Sequence, residues 1–360
     1  MRSTFGEIIK LTIYGESHGT SIGMVLNGVP AGLPVDFPAL QAFMDRRAPG
    51  RAAHSTQRKE SDCPHIISGI TDGLTNGDPI EAIIYNQDVR SADYAITQFC
   101  PRPGHADYID YVKNGVITPG GGHYSGRMTA PMCIAGGLCL QWLKRMGIQV
   151  AAHIRHINGI EDTAFDPILP EIDAITDALP VLDPAKGEKM LDAIMSARSR
   201  GDSLGGVIEC AAVGLPAGLG NHMFMGMENR ISQIIFGIPA VKGIEFGDGF
   251  TCSAHSGSVN NDSFAIRDGK IMTTTNHCGG ILGGSTNGMP LIFRVAIKPT
   301  PTIALPQQTV NIETKEEQVI VSRGRHDPCI VPRAVPVVEA AAAIAIFDAY
   351  ISQEVQHGTE

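Results

Sequence analysis

The sequence has little charge, no Lys/Arg-rich run and no low-complexity segment. Only 18% of its 360 residues are charged and 43% are apolar, which is typical of a globular protein and too little charge for intrinsic disorder. The formal net charge is -9 at pH 7, so the basic footprint of a nucleic-acid-binding protein is missing. We therefore expect no nucleic acid as a partner.

The sequence also lacks an evident membrane or export segment. Residues 1–19 contain no apolar run of signal-peptide length,. The most apolar stretch, EAAAAIAIFDAY at 339–350, is interrupted by Glu339 and Asp348, well short of the roughly 20 residues that span a bilayer. These absences predict a cytoplasmic protein with no membrane partner.

The sequence has no cysteine pattern typical of a disulfide framework or a zinc site, and no linker between domains. The eight cysteines include no C-x-x-C pair, so they predict reduced, mostly buried thiols and neither a disulfide framework nor a structural zinc. We expect no metal. Because no linker-like composition divides the chain, we predict one domain over residues 1–360.

Two parts of the sequence repeat the same order of local signals. An apolar strand at 21–27 is followed by a G-x-P-A-G-L turn from Gly28 and an amphipathic helix, and the same succession recurs around Gly214,. A T-N-G-x-P turn then begins at Thr75 and again at Thr286. The helical faces are predicted to be Phe37, Leu40, Phe43 and Met44 in the first copy and Met223, Met227, Ile231 and Ile234 in the second.

The repeated signals predict an internal duplication with halves of about 1–147 and 148–360, although turn-rich six-residue patterns also recur for local reasons. Strands joined by turns and followed by helices favour an α+β layered domain of pseudo-twofold design over a doubly wound sheet. A cleft between the halves would collect the polar loop of each.

Two short loops each offer a histidine for acid–base chemistry. GESHG, at Gly15–Gly19, follows a strand and carries His18, while RPGHAD, at Arg102–Asp107, carries His105. An imidazole titrates near neutral pH and suits a general acid. The alternatives are a tight turn with a capping Ser17 and a surface histidine in the first loop, and an ordinary Pro-Gly turn in the second.

Arginines cluster in residues 45–60, around a Pro-Gly turn. Guanidinium groups bind carboxylates and phosphates bidentately, so the cluster indicates an anionic small ligand. Favourable charge at a helix C-terminus explains Arg46 and Arg47, but not Arg51 and Arg58.

The stretch PGGGHYSGRMTAP, at 119–131, combines bare backbone with polar groups. Glycines 120–122 leave room for a phosphate or planar ring at the backbone, and Ser125, Arg127 and the following helix N-terminus add donors. The stretch is not a Walker loop, because Arg127 replaces the lysine and Met128 follows it.

Three further segments carry weaker signals. Residues 273–288 are dense in glycine, KPTPT at 298–302 ends a predicted strand, and residues 322–336 pair arginines with Asp327 before the last helix. The first two suit a turn-rich connection equally well, and the third suits a helix-capping loop.

In this order, GESHG, RPGHADY, GGGHYSGRMT, NHCGGILGG and GRHDPC resemble the signature set of the chorismate synthase family, over about Ile8 to Tyr350. The resemblance implies a homotetramer with a layered β-α-β sandwich fold. It also implies conversion of 5-enolpyruvylshikimate-3-phosphate to chorismate and phosphate by an anti-1,4-elimination that requires reduced FMN without net redox change.

The resemblance further implies roles for single residues. His18 protonates or orients the leaving phosphate, His105 governs protonation of the reduced flavin, and Asp327 assists proton removal from C6 of the substrate through the flavin. Arg47 is also the position of an NADPH contact, which makes NADPH a candidate reductant. The substrate is held by Arg46, Arg47, Arg51, Ser125, Arg127 and Arg325. The flavin is held by Arg47, His123, Tyr124, Ser125, Pro239, Ala240, Gly283, Lys298, Pro299, Thr300, Pro301, Thr302 and Arg325.

The chain departs from the family pattern at two places. It reads His123-Tyr124-Ser125-Gly126-Arg127 where most members read R-S-S-A-R, and Ala48 replaces an arginine that is often present. Losing two charge-assisted bonds of about 1.5 to 3 kcal/mol each weakens anion binding, for which Arg51 or His123 would compensate. Two alternative functions stay open. One is a non-catalytic paralogue that binds FMN or a phosphorylated metabolite, and the other is a nucleotide-binding oxidoreductase.

Overall fold

The computed structural model describes residues 3–50, 58, 60–88, 98–176, 179–322 and 327–357, without the side chains of 356 and 357. The α-helices within these residues are α1 Phe37–Arg47, α2 Asp107–Asn114, α3 Thr129–Arg145, α4 Pro184–Ser199, α5 Met227–Ile235, α6 Gly257–Asn260 and α7 Val331–His357. The strands are β1 Ser3–Phe5, β2 Lys10–Gly15, β3 Ser21–Asn27, β4 His65–Ser68, β5 Ile70–Thr71, β6 Leu74–Thr75, β7 Ile80–Tyr85, β8 Gln149–Ile157, β9 Ile160–Glu161, β10 Gly206–Val213, β11 Val241–Phe246, β12 Phe264–Arg267, β13 Lys270–Thr273, β14 Ile281–Leu282, β15 Ser285–Thr286, β16 Leu291–Ile297, β17 Gln307–Val310 and β18 Glu317–Ile320.

Two five-stranded sheets form the framework, with strand orders β1-β2-β3-β7-β4 and β11-β16-β10-β8-β9. Every strand pair in them is antiparallel. The strand predicted at 21–27 is confirmed as β3, in which Ile22, Met24 and Leu26 are buried. The architecture is α+β, as predicted, and not a doubly wound sheet, which would require parallel strands.

Helix α1 begins and ends where local chemistry dictates. The Asp36 carboxylate accepts a hydrogen bond from the Ala39 backbone N–H at 2.9 Å, which caps the first turn,. Ala48 leaves the helical region because a proline follows it,. Leu40 and Met44 are fully buried as predicted, whereas the prediction for Phe37 is wrong: this first-turn side chain is 44% exposed.

Helices α3 and α7 carry the contacts between the two sheets. Helix α3 packs on β2, β3 and β7, α7 packs on β8 and β10, and the two helices pack on each other. A Cβ at Gly136 would lie 2.2 Å from the Ala340 Cβ, so glycine is needed for this close approach,. Trp142 and Phe347 complete the contact, with ring centroids 5.2 Å apart.

Helix α7 is longer than its composition suggested. The segment Val331–Val355 is long and apolar enough to cross a membrane, which corrects the expectation of a stretch well short of a span, but 94% of its most apolar window is buried inside the protein. Glu339 and Asp348 within it are 3% and 1% exposed and bind other chain segments. Within this structure α7 is therefore a buried core helix.

The cysteine prediction is confirmed. All eight thiols are free, and five of them, Cys100, Cys133, Cys139, Cys210 and Cys329, are buried. Burial raises the pKa of the Cys133 thiol to about 12, so it behaves as a small apolar side chain.

Candidate active site

A cavity of about 710 Å³ is lined by loops from both halves of the chain, a size within the roughly 300–1,000 Å³ of ordinary ligand sites. The first half contributes the ends of α1 and α3 and the loops that carry His105 and His123. The second half contributes residues 236–242, the end of β16 with residues 298–302, and the start of α7. The two sets of polar loops predicted from the sequence thus meet at one place.

The described lining of this cavity is strongly cationic. It contains a single carboxylate, Asp327, and the cationic side chains Arg47, Arg58, Arg102, Lys113, Arg127, Lys242, Lys298 and Arg333. Because the whole protein carries a net charge of -9, this concentration of positive charge is local. A polyanionic ligand is the species that such a cavity attracts.

Two of the three consecutive glycines leave room for the rings of two histidines. Gly120 and Gly121 have φ of +66° and +82°, and a Cβ on them would lie 1.9 Å from His18 Cε1 and 2.8 Å from His105 Cε1 respectively. The planar rings that approach this backbone within the described chain are therefore imidazoles. This single turn brings the two predicted acid–base residues to the same side of the cavity.

His105 is held by a buried carboxylate. Its Nδ1 lies 2.6 Å from Asp107 Oδ1, and Arg102 donates to both Asp107 oxygens at 2.7 Å. Burial alone would raise the pKa of Asp107, but the hydrogen bonds from Arg102 and His105 outweigh it and hold the pKa far below its usual range. The ionised Asp107 accepts a hydrogen bond from His105 Nδ1, and Arg102 Nη2 lies 3.4 Å from His105 Nε2.

His18 is not the surface histidine of the alternative interpretation. Ser17 beside it is 0% exposed, and its Oγ lies 3.1 Å from His18 Nδ1 and donates to the Gly120 carbonyl at 3.2 Å. Since this hydroxyl proton goes to Gly120, His18 Nδ1–H donates to Ser17 Oγ. The imidazole is thereby oriented by the glycine turn.

A buried carboxylate also joins the two central arginines. Asp62, 0% exposed, accepts hydrogen bonds from Arg47 Nη1 at 2.6 Å and from Arg127 Nη1. Burial opposes ionisation, but the two guanidinium groups lower the pKa of Asp62 below its usual value. Arg47 further donates to the Thr129 hydroxyl at 3.2 Å and the Gly126 carbonyl at 3.0 Å.

Asp327 lines the cavity on the opposite half of the chain, in an ion pair with Arg333. Arg333 Nε also donates to the Arg47 carbonyl at 3.0 Å. Burial lowers the pKa of Arg333, and the charge of Asp327 counteracts this. The start of α7 is thus tied to the end of α1 across the cavity.

The segment 298–302 packs against the His105 loop. Lys298 Nζ donates to the Gly104 carbonyl, and Arg102 Nη1 donates to Thr302 Oγ1 at 3.1 Å. Burial, followed by repulsion from Lys242, lowers the pKa of Lys298. Ala240 accepts from the Lys298 backbone N–H at 3.0 Å and has φ of +75°, a strained conformation of the kind found around ligand sites.

Some buried polar atoms of the lining have no hydrogen-bond partner among the described residues: Tyr124 Oη, Thr300 Oγ1 and Arg127 Nη2. The last of these lies 3.8 Å from a Glu60 oxygen, beyond hydrogen-bonding range,. Buried polar groups are normally paired, and unpaired ones require an explanation. A polar ligand in the cavity would supply the missing partners.

Most of the residues predicted from the sequence line this cavity: Arg47, His105, His123, Tyr124, Ser125, Arg127, Pro239, Ala240, Lys298, Thr300, Pro301, Thr302 and Asp327. His18 is not among the lining residues, but its ring lies against Gly120, which is one of them. His123 is already bonded to Ser3 Oγ at 2.8 Å and to the Gly15 carbonyl at 3.1 Å.

Other predicted residues lie elsewhere. Arg46 requires a correction: it is absent from the lining, and its guanidinium instead forms two hydrogen bonds, at 2.6 and 2.9 Å, to Glu339 of the adjacent helix α7. Gly283 lies in the exposed β14–β15 turn and Pro299 between two lining residues, and neither lines the cavity. The positions of Arg51 and Arg325 lie outside the described residues.

The predicted site residues did not include Arg102, Lys113, Lys242 and Arg333 in the lining or Asp62 and Asp107 behind it. Arg58, which also lines the cavity, was noted only as a member of the arginine cluster. Arg102 and Asp107 belong to the RPGHAD loop, where their spacing around His105 was a usable signal. The other four are single charges for which no spacing pattern exists.

Comparison with known proteins identifies the arrangement. The chorismate synthase family model matches residues 9–351. The chorismate synthase of Lancefieldella parvula is 45% identical over 369 residues, covering 98% of this chain and 97% of that protein, and the one of Methanocella arvoryzae is 44% identical over 353 residues, covering 97% and 94%. A crystal structure of chorismate synthase superposes with a TM-score of 0.76 at 28% identity, covering 97% of this chain and 93% of that one. The chain belongs to the chorismate synthase family.

Proposed function

We propose that this cavity carries out the chorismate synthase reaction, the anti-1,4-elimination of phosphate from 5-enolpyruvylshikimate-3-phosphate to give chorismate, as a step of aromatic amino acid biosynthesis in the shikimate pathway. The observation that carries the proposal is the convergence of eight cationic side chains and His105 on one cavity, whose described lining has Asp327 as its single carboxylate, with the His18 ring lying against Gly120 of that lining. The substrate carries one phosphate and two carboxylates, which is the charge that this lining complements.

The proposed substrate contacts are Arg47, Arg127 and Ser125. Asp62 bridges the two guanidinium groups, with one oxygen accepting from each, so they are oriented before a ligand arrives. The Nη2 of Arg127, which lacks a hydrogen-bond partner in the described chain, is the donor that we assign to the substrate. Arg51 and Arg325 remain predicted substrate contacts. Arg46 is no longer proposed as one, because its guanidinium is paired with Glu339.

Reduced FMN, which the family implies, fits the unpaired donors and acceptors of the same cavity. Tyr124 Oη and Thr300 Oγ1 are buried without partners among the described residues, and Lys298, Pro301 and Ala240 line the adjoining wall. Reduced FMN supplies the electron density that breaking the allylic C–O bond requires. The other proposed flavin contacts, including Gly283 and Pro299, stay predictions.

The histidines and Asp327 then move the protons. His18 acts as an imidazolium, which keeps its Nδ1 proton on Ser17 and gives its Nε2 proton to the departing phosphate. His105 governs protonation of the reduced flavin, with its Nδ1 held by Asp107. Asp327, which forms an ion pair with Arg333, assists removal of the C6 proton of the substrate through the flavin.

An anaerobic turnover experiment tests the function. The full chain is incubated with 5-enolpyruvylshikimate-3-phosphate and dithionite-reduced FMN, and phosphate and chorismate are measured. We expect both products in equal amounts, and none when the FMN is oxidised. Turnover in air without reductant would contradict the role of the reduced flavin. Flavin binding without any turnover would instead identify a non-catalytic paralogue, the alternative that the departures at Ala48 and His123 raise.

NADPH as the reductant is a separate proposal, with Arg47 as the contact. It is tested by replacing dithionite with NADPH under the same anaerobic conditions. Chorismate formation is expected if the chain reduces its own flavin. The Arg47 guanidinium already donates to Asp62, Thr129 and Gly126, which limits its contact with NADPH. No chorismate formation with NADPH alone would assign flavin reduction to an external system.

We also propose the pseudo-twofold internal repeat within the layered fold, on the evidence of matched hydrogen bonds. Thr75 Oγ1 donates to the Pro30 carbonyl at 2.6 Å and accepts from the Leu33 N–H at 2.9 Å. Thr286 Oγ1 makes the same two bonds, to Pro216 and Leu219, at the same two distances. An experimental structure in which only one of the two networks forms would contradict the repeat.

The turn glycines support the same proposal. Gly28 and Gly214 both have φ of +80°, and a Cβ on either would lie about 2 Å from a backbone carbonyl oxygen, 2.0 Å for Ile8 and 2.1 Å for Gly147. One contiguous hydrophobic core contains residues of both halves, which supports the proposal of a single domain over residues 1–360.

The homotetramer and the cytoplasmic location are further proposals. Large apolar side chains are exposed on the β12–β13 hairpin, where Phe264, Ile266 and Ile271 are 66 to 78% accessible. Association of copies would cover them. Sedimentation equilibrium of the purified chain tests the tetramer, and a stable monomer would contradict it. Cell fractionation tests the location.

A further inference from the structure

Two histidines and an aspartate converge at the end of β11 remote from the catalytic cavity. Asp248 follows β11, His255 follows a short 3-10 helix at Gly249–Ala254, and His277 lies between β13 and β14. None of the three lines the cavity. Their ligand atoms all lie within 4.8 Å of one another, so three separate chain segments meet at one point.

Both imidazoles direct the same ring atom to one carboxylate oxygen. His277 Nδ1 is 2.7 Å from Asp248 Oδ2, and His255 Nδ1 is 3.4 Å from it. Each side chain is about a quarter exposed, at 28% for Asp248, 25% for His255 and 26% for His277. The cluster is therefore partly shielded but reachable from solvent.

His255 Nδ1 is the unexplained atom. It is buried and makes no hydrogen bond within the described chain, although it lies 3.4 Å from Asp248 Oδ2. Buried nitrogen atoms are rarely left in this condition. A cation between the three groups would bind this nitrogen.

The cluster is organised by the backbone around it. The Asp248 N–H donates to the His277 carbonyl at 2.9 Å, so two of the groups are linked independently of their side chains. A Cβ at Gly247 would lie 2.0 Å from the same carbonyl, which shows how closely the two segments approach. Asp262 accepts from the His277 N–H at 2.8 Å and the Thr275 hydroxyl at 2.7 Å.

We propose that Asp248, His255 and His277 bind a divalent transition-metal ion, with Zn²⁺ as the preferred occupant. Two neutral imidazoles and a carboxylate are established Zn²⁺ ligands, at about 2.0 to 2.2 Å from the metal, and three such ligands leave the fourth tetrahedral position to water. In tetrahedral geometry those bond lengths place ligand atoms roughly 3.3 to 3.6 Å apart. The His255–Asp248 separation has this value already, and the His277–Asp248 pair needs to widen by less than 1 Å.

The site is spatially and chemically separate from the elimination reaction. Strand β11 has six residues, about 20 Å of chain at 3.3 Å per residue, and its first residue is at the cavity. The ion would link the segment after β11 to the β13–β14 connection. The cysteine spacing that argued against a structural zinc does not bear on this site, because its ligands are histidines and an aspartate.

Metal binding to the full-length chain tests the proposal. The protein is stripped with a chelator, dialysed against micromolar Zn²⁺ and analysed for bound metal, and Co²⁺ is used as a spectroscopic probe. We expect one Zn²⁺ per chain and a Co²⁺ ligand-field spectrum of the intense four-coordinate type. Wild-type protein without stoichiometric metal, or with a weak six-coordinate Co²⁺ spectrum, would overturn the proposal even if every variant misfolded.

Variants then locate the metal. Asp248→Asn, His255→Ala and His277→Ala are each expected to weaken Zn²⁺ binding by at least about 10- to 100-fold, the loss that follows damage to a metal site. His222→Ala, which removes an exposed histidine outside the cluster, is the matched control and should bind as wild type does. Unchanged affinity in the three cluster variants would place the metal elsewhere and refute the assignment.

Stability provides a second measurement. Free Zn²⁺ at 100 times its Kd should raise the Tm of wild-type protein by a few degrees, since that excess corresponds to about 2.7 kcal/mol. The Tm of folded His255→Ala should not respond. Turnover with reduced FMN is expected to be the same with and without Zn²⁺, because the cluster lies outside the cavity.

Discussion

His105 is a proposed catalytic residue whose position is fixed by a chain of short contacts. Asp107 holds Nδ1 at 2.6 Å and Arg102 holds Asp107. We expect His105→Ala and His18→Ala each to lower anaerobic turnover by roughly 10²- to 10⁴-fold, the span for a lost general acid or base. Rapid-quench measurement of phosphate release would check this, and near wild-type rates in both would remove the histidines from the mechanism.

Gly121→Ala tests whether the glycine turn positions His105. The added Cβ would lie 2.8 Å from His105 Cε1 and 3.0 Å from Nε2, which forces the ring to move. A displacement of about 1 Å at a catalytic group can cost roughly 10²-fold in rate. We therefore expect kcat with reduced FMN to fall by about that factor while the fold is retained, as monitored by circular dichroism.

Two alanine variants separate ring displacement from other effects of the substitution. Gly115→Ala shares the positive φ, +77°, but its Cβ would meet nothing within 4 Å, so it shows the cost of backbone strain alone. Gly126→Ala lies in the cavity lining, also without a neighbour. If Gly115→Ala or Gly126→Ala lost as much activity as Gly121→Ala, contact with His105 would not be the cause.

At the residue scale, sequence patterns were sufficient for groups that share a short loop with glycine or proline. His18, His105 and Arg127 could be predicted from such loops. Asp62, which binds Arg47 and Arg127 from another segment, could not. A buried ion pair between distant positions depends on the fold and has no period or spacing in the sequence, which is also why the pairing of Arg46 with Glu339 was missed.

At the scale of elements, α7 is fixed to the first sheet by one carboxylate. Asp348 Oδ1 accepts from the backbone N–H groups of Ile8 and Ile9 at 2.9 and 2.8 Å, and its Oδ2 accepts from Arg230 at 2.7 Å. Asp348→Asn removes one of the two carboxylates that pair with the buried Arg230, which keeps the partly exposed Glu7 as its remaining ionic partner. We expect a loss of about 1.5 to 3 kcal/mol in the free energy of unfolding, the contribution of a hydrogen bond to a charged group, measurable by urea denaturation.

Glu354→Gln is the matched control for that prediction. It neutralises an exposed carboxylate near the C-terminal end of the same helix, where such changes usually stay within about 0.5 kcal/mol. If the two variants differed little in their urea midpoints, Asp348 would not be the group that joins α7 to the β1–β2 region.

Element prediction succeeded where periodicity reflects burial and failed at element ends. In α5, Met227, Ile231 and Ile234 are buried as predicted. Met223 is 71% exposed because it precedes the helix with φ of +54°, just as Phe37 lies in the first turn of α1. End residues share the helical spacing without sharing the packing, since the direction in which the chain enters is set by tertiary contacts.

At the scale of the whole molecule, sequence order predicted that loops from both halves meet, and the cavity has that composition. The sequence could not predict how the sheets are bridged. That depends on Gly136 allowing α3 and α7 to approach, and a glycine inside an apolar helix carries no information about its partner. The net charge of -9 likewise gave no indication that positive side chains would concentrate at the cavity.

The pH dependence of global stability should depend on His153, which is 0% exposed in the second sheet. Its ring nitrogens lie 3.0 Å from Asp162 and 3.0 Å from Glu209. Burial would lower the pKa of His153, but the hydrogen bonds and charges of the two carboxylates raise it above the ordinary 6.5. The same contacts lower the pKa of Asp162 against the effect of burial.

The signs of these shifts define where stability is gained. A raised histidine pKa contributes fully below about 6.5 and is lost as pH rises through the folded-state value, whereas a lowered aspartate pKa contributes above about 3.9 and is lost as pH falls. His153→Gln should therefore destabilise the protein by about 3 kcal/mol or more near pH 6, with a smaller difference from wild type at pH 9. Urea unfolding at both pH values measures this, with the exposed His222→Gln as control. A difference that grew with pH would mean that His153 is neutral in the folded protein, and the attraction from Asp162 and Glu209 would then be too weak to overcome the cost of burying its charge.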